Sequence, residues 1–206
     1  MAHRHVAPRA LFTCLLVLPI SMAAQGQTEI TPLVSWAVGG SASVPRGTVA
    51  LDNGLAYGAV LGARVEKDVN VEFTYEYLPT KGHFNSSSGT GSRTLDMSVH
   101  LLQFGAAYHV LTDRIQPFMS TTAGAVLFRP NGGAYGSDFR LAFSAIFGIK
   151  FFPADNVGLR LQARVLLPVY FSQGGFWSRV EGTGGGINSG IRMVQPDLGG
   201  GIVIAF

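Results

Sequence analysis

Asp96, Ser98 and His100 carry the three side chains of a serine hydrolase at alternate positions of one short segment. Such an enzyme needs a hydroxyl nucleophile, a histidine base beside it and a carboxylate that orients the base. Residues two apart on a strand are separated by roughly 6.5–7 Å, which is too far for direct proton transfer between them. We therefore predict that the three residues share one face of a strand, and that the chain has no catalytic residue.

Other reactive groups are scarce. Cys14, the one cysteine, lies in an apolar N-terminal stretch that we expect to be removed, so no thiolate would remain. Three histidines lie beyond that stretch, His83, His100 and His109, and they form no His-x-His pair. The glycines of "EGTGGGINSG" do not match the dinucleotide-binding fingerprint. We predict neither a metal site nor a cofactor.

A larger set of charged residues alternates with apolar residues. Glu72 and Glu76 share one parity in "VNVEFTYEYL", and Arg160 and Arg164 do so in "VGLRLQARVLL". Both signs occur in near balance, and charges enclosed in a fold must pair and be hydrogen-bonded. We favour a salt-bridged plug, with a narrow ion path as the alternative. The predicted interior polar network comprises Arg64, Glu66, Glu72, Glu76, Asp96, His100, Arg140, Lys150, Arg160, Arg164 and Asp197.

The elements that position these residues are long strands. Charged residues make up 13% and hydrophobic residues 47% of the 206-residue chain, whereas soluble domains carry about 25% charge. Beyond the N-terminal stretch no apolar run reaches the roughly 20 residues of a spanning helix. The alternation instead has a period of two over segments of about ten residues, the length of a tilted spanning strand. We predict strands over 28–38, 55–66, 69–79, 94–110, 115–129, 139–152, 157–171 and 194–206.

The connections alternate in length. "EKDVN", "LTDR" and "PADN" are short polar turns, whereas 39–54, 80–93, 130–138 and 172–193 are longer and rich in Gly and Ser. This asymmetry is typical of an outer-membrane barrel. Eight strands place both termini at the short-turn end, in the periplasm. Two aromatic girdles are predicted, from Trp36, Tyr77, Phe128, Phe139 and Tyr170 at the long-loop end and from Tyr108, Phe118, Phe151 and Phe206 at the short-turn end.

One strand breaks the alternation. In "TLDMSVHLLQFGAAYHV" the apolar parity that begins at Leu95 would, if continued, place Gln103 and His109 among the lipid-facing residues. A shift of one residue after Leu101 avoids this conflict. We therefore predict a β-bulge at Leu101–Leu102, where one extra residue changes the parity.

The first residues have the features of an export signal. "MAHRHVAPRA" is basic, "LFTCLLVLPI" is apolar and "SMAAQ" offers small residues for cleavage. We predict a signal peptide over 1–24 and, over 25–206, an eight-stranded antiparallel up-and-down transmembrane β-barrel. Removing Arg4 and Arg9 leaves 13 basic residues, from 15, against 12 acidic residues. This near balance, with export, argues against a nucleic-acid partner.

"EITPLVSWAVGG", "FFPADNVGLRLQARVLLPVYF" and the final "GIVIAF" resemble segments of the small outer-membrane β-barrel proteins of Gram-negative bacteria, the OmpA/OmpX-like class. The resemblance implies an outer-membrane location. It also implies insertion by the outer-membrane assembly machinery, which in this class recognises a last strand ending in Phe. The residues that match this signal are Ile202, Ile204 and Phe206.

The expected function is structural or interactive: an integral outer-membrane protein that supports envelope integrity or makes surface contacts. Its expected partners are membrane lipid and lipopolysaccharide, and the candidate loop contacts are Phe176, Trp177, Arg179 and Arg192. Two alternatives remain, a narrow passive pore and an enzyme that modifies lipid A.

Overall fold

The computed structural model describes residues 27–44, 47–86, 92–110, 114–131, 137–170, 190–191 and 194–206. The predicted signal peptide and the loop residues Phe176, Trp177, Arg179 and Arg192 lie outside this part of the chain. No helix long and apolar enough to cross a membrane occurs among the described residues. The strands are β1 Thr28–Ala37, β2 Ser41–Val44, β3 Gly47–Leu51, β4 Gly54–Glu66, β5 Val69–Ser86, β6 Ser92–His109, β7 Ile115–Pro130, β8 Asp138–Ala154, β9 Val157–Tyr170, β10 Gly190–Ile191 and β11 Gln195–Ala205.

Eight of these strands form a closed antiparallel barrel in the order β1, β4, β5, β6, β7, β8, β9 and β11. The ring closes where β11 pairs with β1, from Ala37↔Asp197 to Glu29↔Ala205. Past this pairing Phe206 N donates a hydrogen bond of 2.9 Å to Thr28 O. Closure leaves no unpaired sheet edge along the barrel wall. The predicted eight-stranded fold is confirmed.

Alternate residues of each barrel strand face the lumen and the outside, because successive side chains of a strand point to opposite faces. On β9, Arg160, Gln162 and Arg164 are buried, whereas Leu159 and Leu161 are exposed. The parities predicted for β5, β8 and β9 are correct, and so is that of β4 as far as Arg64. Most of the exposed large hydrophobic side chains lie on the outer face of the barrel strands and form an apolar band around it.

At the long-loop end the sheet extends beyond the ring. β5 and β6 are 18 residues each, and β3 pairs with β5 through Ala50↔His83 and Leu51↔Gly82. β2 forms a hairpin with β3. Sequence analysis assigned 39–54 to a loop and did not predict this hairpin.

The bulge predicted at Leu101–Leu102 is wrong. β6 pairs with β5 without a register shift from Ser92 to Tyr108, and the two recorded shifts lie beside short turns, at Arg64/Glu66 and Phe151/Ala154. The parity predicted after Leu101 is correct, but the parity before it is reversed. Asp96, Ser98 and His100 lie on the outward parity of β6, His100 at the edge of the apolar band and the other two beyond it. No parity change is needed there.

Two residues assigned to the aromatic girdles face the lumen instead. Phe128 and Phe118 are buried on β7, whose polar residues Ser120 and Thr122 are buried on the same parity. The sequence of β7 has no clear alternation of polarity. Its parity is therefore not evident from the residue types alone.

Candidate functional site

The lumen nearest the short turns contains a cluster of buried ion pairs. Arg160 donates from Nη1 and Nη2 to the two carboxylate oxygens of Glu72, at 2.6 and 3.0 Å, and from Nε to Gln162 Oε1 at 2.7 Å. Lys150 Nζ donates to Glu29 Oε2 and lies 3.8 Å from Glu72 Oε1. Each of the four ionised side chains has at most a few per cent of its surface exposed. Two cations and two carboxylates therefore neutralise one another.

A second cluster lies four residues further along the same two strands, toward the long loops. Arg164 donates from Nη1 and Nη2 to the carboxylate oxygens of Glu76, at 2.7 and 2.6 Å, and from Nε to Asp197 Oδ2 at 2.6 Å. Ser35 Oγ adds a hydrogen bond of 3.2 Å to Glu76 Oε2. Bidentate pairs of this kind combine energy with a fixed geometry. β5 and β9 are not neighbours in the barrel, so both clusters tie opposite walls together.

Neutral and aromatic side chains fill the space beside the ion pairs. Gln103 Oε1 accepts hydrogen bonds from Thr122 Oγ1 at 3.0 Å and from Ser144 Oγ at 2.8 Å. The Phe118 ring stacks on His109 at a centroid distance of 5.5 Å. The Arg160 guanidinium carbon lies 4.4 Å from the centroid of the same ring, within range of a cation–π interaction.

Toward the long loops the lumen becomes apolar. Leu78 and Leu166 are the next inward residues after Glu76 and Arg164 on their strands, so this apolar layer lies directly above the second ion-pair cluster. We call it the apolar plug. Its buried members are Leu51, Ala56, Leu78, Met97, Val99, Leu101, Val126, Phe128, Ala142 and Leu166.

The structure joins six of the predicted network residues, namely Glu72, Glu76, Lys150, Arg160, Arg164 and Asp197. Arg140 is buried on the inner face of β8, above the apolar plug. Arg64 is half-buried and its Nε atom is buried.

Three predicted network residues lie outside the lumen. Glu66 is exposed, because the register shift at Arg64/Glu66 turns it away from the interior. Asp96 lies on the outer face, where its carboxylate is 3.9 Å from Lys81 Nζ. His100 also faces outward and contacts Tyr75 and Tyr77. Glu66 is the last residue of β4, and Asp96 and His100 lie where β6 leaves the apolar band, so alternation no longer distinguishes lumen from lipid at these three positions.

Sequence reasoning missed one member of the network, Glu29. It is 3% exposed and pairs with Lys150. A signal was present, because Glu29, Thr31 and Ser35 share one parity of β1 while Ile30 and Val34 share the other. Pro32 obscured that alternation.

The hydrolase-like trio does not assemble a relay. Ser98 Oγ lies 3.4 Å from His100 Nε2, but the other ring nitrogen of His100 contacts the Tyr75 hydroxyl at 3.1 Å. Asp96, which would have to orient the imidazole, is next to Lys81 instead. A nucleophile and a base without an orienting carboxylate do not form the arrangement that acyl transfer needs.

A second carboxylate–imidazole–hydroxyl chain, which sequence analysis did not identify, fastens the hairpin to the barrel extension. His83 Nε2 lies 2.9 Å from Asp52 Oδ1, and its Nδ1 lies 3.0 Å from Thr94 Oγ1. Thr80 Oγ1 donates to Asp52 O at 2.9 Å. These contacts connect the end of β3 to both β5 and β6. Within the described ranges no group of three His, Cys, Asp or Glu side chains could hold a metal ion.

Comparisons with known proteins bear on the fold. No known protein family and no curated protein matches the sequence. Among solved structures, Neisserial surface protein A is 14% identical and matches with a TM-score of 0.61 over 88% of this chain and 100% of that one. The N-terminal barrel domain of Pseudomonas aeruginosa OprF is 14% identical, with a TM-score of 0.51 over 88% and 100% of the two chains.

A third match is Ail of Yersinia pestis, solved with the heparin analogue sucrose octasulfate. It is 12% identical, with a TM-score of 0.50 over 88% of this chain and 99% of that one. The chain has the fold of the small outer-membrane barrels. In this fold the apolar band on the outer face is the surface that contacts lipid.

Proposed function

We propose that the protein is an integral outer-membrane barrel with a closed lumen, and that it acts through its wall and the surface it presents at the long-loop end. One observation carries this proposal: side chains from opposite walls meet inside the barrel. An eight-stranded barrel has an interior just wide enough for side chains to fill. Here two ion-pair clusters and the apolar plug fill it in succession.

The two layers oppose ion passage for different reasons. Every carboxylate of the two clusters is paired with a cation, although Asp197 Oδ1 accepts no hydrogen bond from the described residues. Loss of one partner of a buried pair costs about 3–5 kcal/mol. In the apolar plug an ion would lose its hydration shell to surroundings that are predominantly apolar. A transport role would require both layers to move aside.

The long-loop end offers the surface. β5 and β6 continue beyond the apolar band, and the β2–β3 hairpin pairs with the outer part of β5. The Asp52–His83–Thr94 chain fastens that hairpin. Such an ordered projection supports a role in surface contact rather than in chemistry.

Cysteine labelling tests the location and the orientation together. Cys14 is the one native cysteine and lies in the predicted signal peptide, so introduced thiols report single positions. Asn85→Cys, on the exposed β5 extension, should react with a membrane-impermeant maleimide on intact cells. Lys67→Cys, in the turn between β4 and β5, is the matched control and should react only after the outer membrane is permeabilised. Labelling of Lys67→Cys on intact cells, with Asn85→Cys protected, would reverse the proposed orientation.

The resemblance to outer-membrane barrels supports a further proposal about assembly. Ile202, Ile204 and Phe206 are exposed on the lipid-facing side of β11 and the residue after it, where an assembly factor could reach them. Phe206→Ser should lower the amount of folded barrel in the outer membrane by a larger fraction than it lowers the free energy of unfolding of the purified barrel. Unchanged membrane levels, measured by quantitative blotting of heat-modifiable protein, would refute the signal.

A further inference from the structure

The outer wall formed by β5, β6 and β7 changes from apolar to polar along one boundary. Below the boundary the wall presents Tyr75, Leu102 and Phe104, all exposed. Above it, cross-strand partners on the outer face are polar or charged: Ser98 pairs with Arg129, and Asp96 with Lys81. His100 lies at the boundary, paired with Tyr77.

The height of this boundary matches the edge of a hydrocarbon layer. Ten residues separate Tyr108, near the short-turn end, from Ser98. At about 3.4 Å per residue and a strand tilt of about 40°, they span roughly 26 Å along the barrel axis. The lipid-facing band of an outer-membrane barrel is about 25 Å tall. Ser98 therefore lies at the upper edge of this band, and His100, two residues closer to the short turns, lies just inside the edge.

Two cationic side chains and the imidazole of His100 face outward near this edge. Arg129 is exposed on β7, and His100 is its diagonal neighbour on β6, about 7–8 Å away by backbone geometry. Lys81 is exposed on β5, and its contact with Asp96 is long, at 3.9 Å, between two largely exposed side chains. Exposed pairs of this kind are worth about 0–1 kcal/mol. The ammonium of Lys81 can therefore turn toward a stronger anion at little cost.

The imidazole of His100 is held in place for such a contact. Its Nδ1 lies 3.1 Å from the Tyr75 hydroxyl and its Nε2 lies 3.4 Å from Ser98 Oγ. The Tyr77 ring is tilted against it, with centroids 5.2 Å apart. Ser98 itself is 5% exposed and its hydroxyl donates to Arg129 O at 3.4 Å, so it links His100 to β7 rather than binding a ligand.

An apolar groove lies below this patch on the same wall. It has a volume of about 410 Å³. Its walls are large side chains and its floor is made of small ones: Phe104 and Phe143 flank Ala106, Thr121 and Ala123. The groove is open to the outside in the middle of the lipid-facing band, where its occupant must be apolar.

We propose that this wall binds a phosphorylated glycolipid of the outer leaflet, with its phosphate on Lys81, His100 and Arg129 and an acyl chain in the groove between Phe104 and Phe143. Charge complementarity identifies the phosphate, since the patch combines two permanent cations, Lys81 and Arg129, with the imidazole of His100. The alignment of the patch above the groove on the same strands identifies a lipid. The inference rests on the proposed outer-membrane location and names the partner of that surface.

Lipid retention by the purified full-length barrel tests the proposal. The protein is refolded in neutral detergent and incubated with bisphosphorylated lipid A, or with the same lipid stripped of phosphate, and bound lipid is counted by native mass spectrometry. The wild type should retain the phosphorylated lipid about five- to tenfold better. Lys81→Gln/Arg129→Gln should remove this preference.

The matched control is Lys67→Gln/Arg114→Gln, which removes two exposed cations from the short-turn end and should keep the preference. Ala123→Trp, which fills the groove, should lower retention of both lipids. Heat-modifiable gel mobility confirms that every variant is folded. Equal retention of the two lipids by the wild type, or equal loss in the patch and control variants, would overturn the phosphate site. Unchanged retention by Ala123→Trp would overturn the acyl groove.

This outcome is separable from failure of the proposed function. Cysteine labelling of cells reports location and orientation without reference to lipid A. A barrel that labels as expected but shows no phosphate preference would refute the lipid site alone.

Discussion

The two halves of the lumen fill the same narrow bore by opposite means. The half near the short turns is built from ion pairs such as Glu72–Arg160, and the half near the long loops from apolar residues such as Met97 and Phe128. An apolar layer needs only the right volume, whereas each charged residue needs one particular partner at one particular height. The charged half therefore fixes the register between opposite walls, and the apolar half seals the bore.

The difference predicts how each half responds to substitution. Loss of one member of a buried ion pair leaves an uncompensated charge, and loss of an apolar group leaves a cavity. The first penalty depends on the identity of the partner and can be relieved by removing that partner. The second depends on volume and can be relieved by any side chain of similar size.

The largest effect is expected for Arg160→Met, which leaves Glu72 without its bidentate partner. The free energy of unfolding should fall by about 3–5 kcal/mol, measured by denaturant titration of the barrel in lipid vesicles. The double variant Glu72→Leu/Arg160→Met should be more stable than Arg160→Met alone, because no charge is stranded on Glu72. A double variant as unstable as the sum of its two single variants would contradict the pairing.

A smaller loss is expected in the apolar plug. Met97→Ala should lower the free energy of unfolding by about 2–4 kcal/mol through a cavity above the second ion-pair cluster. Met97→Leu, the volume-matched control, should cost less than about 1.5 kcal/mol. If both variants lowered the free energy of unfolding equally in denaturant titrations, side-chain volume would not explain how this layer stabilises the barrel.

The neutral hydrogen-bonded cluster beside the ion pairs should give a smaller value still. Gln103→Leu removes the oxygen that accepts from Thr122 and Ser144. Two buried hydroxyls then lack their partner, at a cost of about 1–3 kcal/mol. The triple variant Gln103→Leu/Thr122→Val/Ser144→Ala should recover part of that loss in the same titration, and no recovery would show that the hydrogen bonds are not the cause.

The smallest effect is expected outside the lumen. Asp96→Asn removes the carboxylate next to Lys81 on the exposed wall, and its cost should stay below about 1 kcal/mol and shrink further with added salt. A loss as large as that of Arg160→Met would mean that Asp96 belongs to a buried network after all, as the sequence first suggested.

Alternation, together with strand length and the alternation of short turns with long loops, was enough to predict the fold. Alternation also placed six of the joined network residues in the lumen, because hydrocarbon and lumen lie on opposite faces along the spanning part of a strand. It failed for Asp96 and His100, where β6 leaves the apolar band and both faces meet polar surroundings. It also could not predict that β5 and β9 exchange ion pairs. Which residues meet across a lumen depends on the stagger of the strands around the ring, and one strand's sequence does not contain that quantity.

The Asp52–His83–Thr94 chain was missed for a related reason. Its members come from three segments that meet because β3 pairs with the extension of β5, within a region whose composition is typical of a loop. Glycine and serine weaken the period of two on which strand prediction depends.

Single-channel recording in planar bilayers tests the central claim most directly. With both layers in place, the refolded wild-type barrel should insert and show no discrete conductance steps across the range of applied voltages. Reproducible ohmic steps from the folded protein, at a size that scales with salt concentration, would show a continuous water path past Arg160 and Phe128 and would contradict a closed lumen.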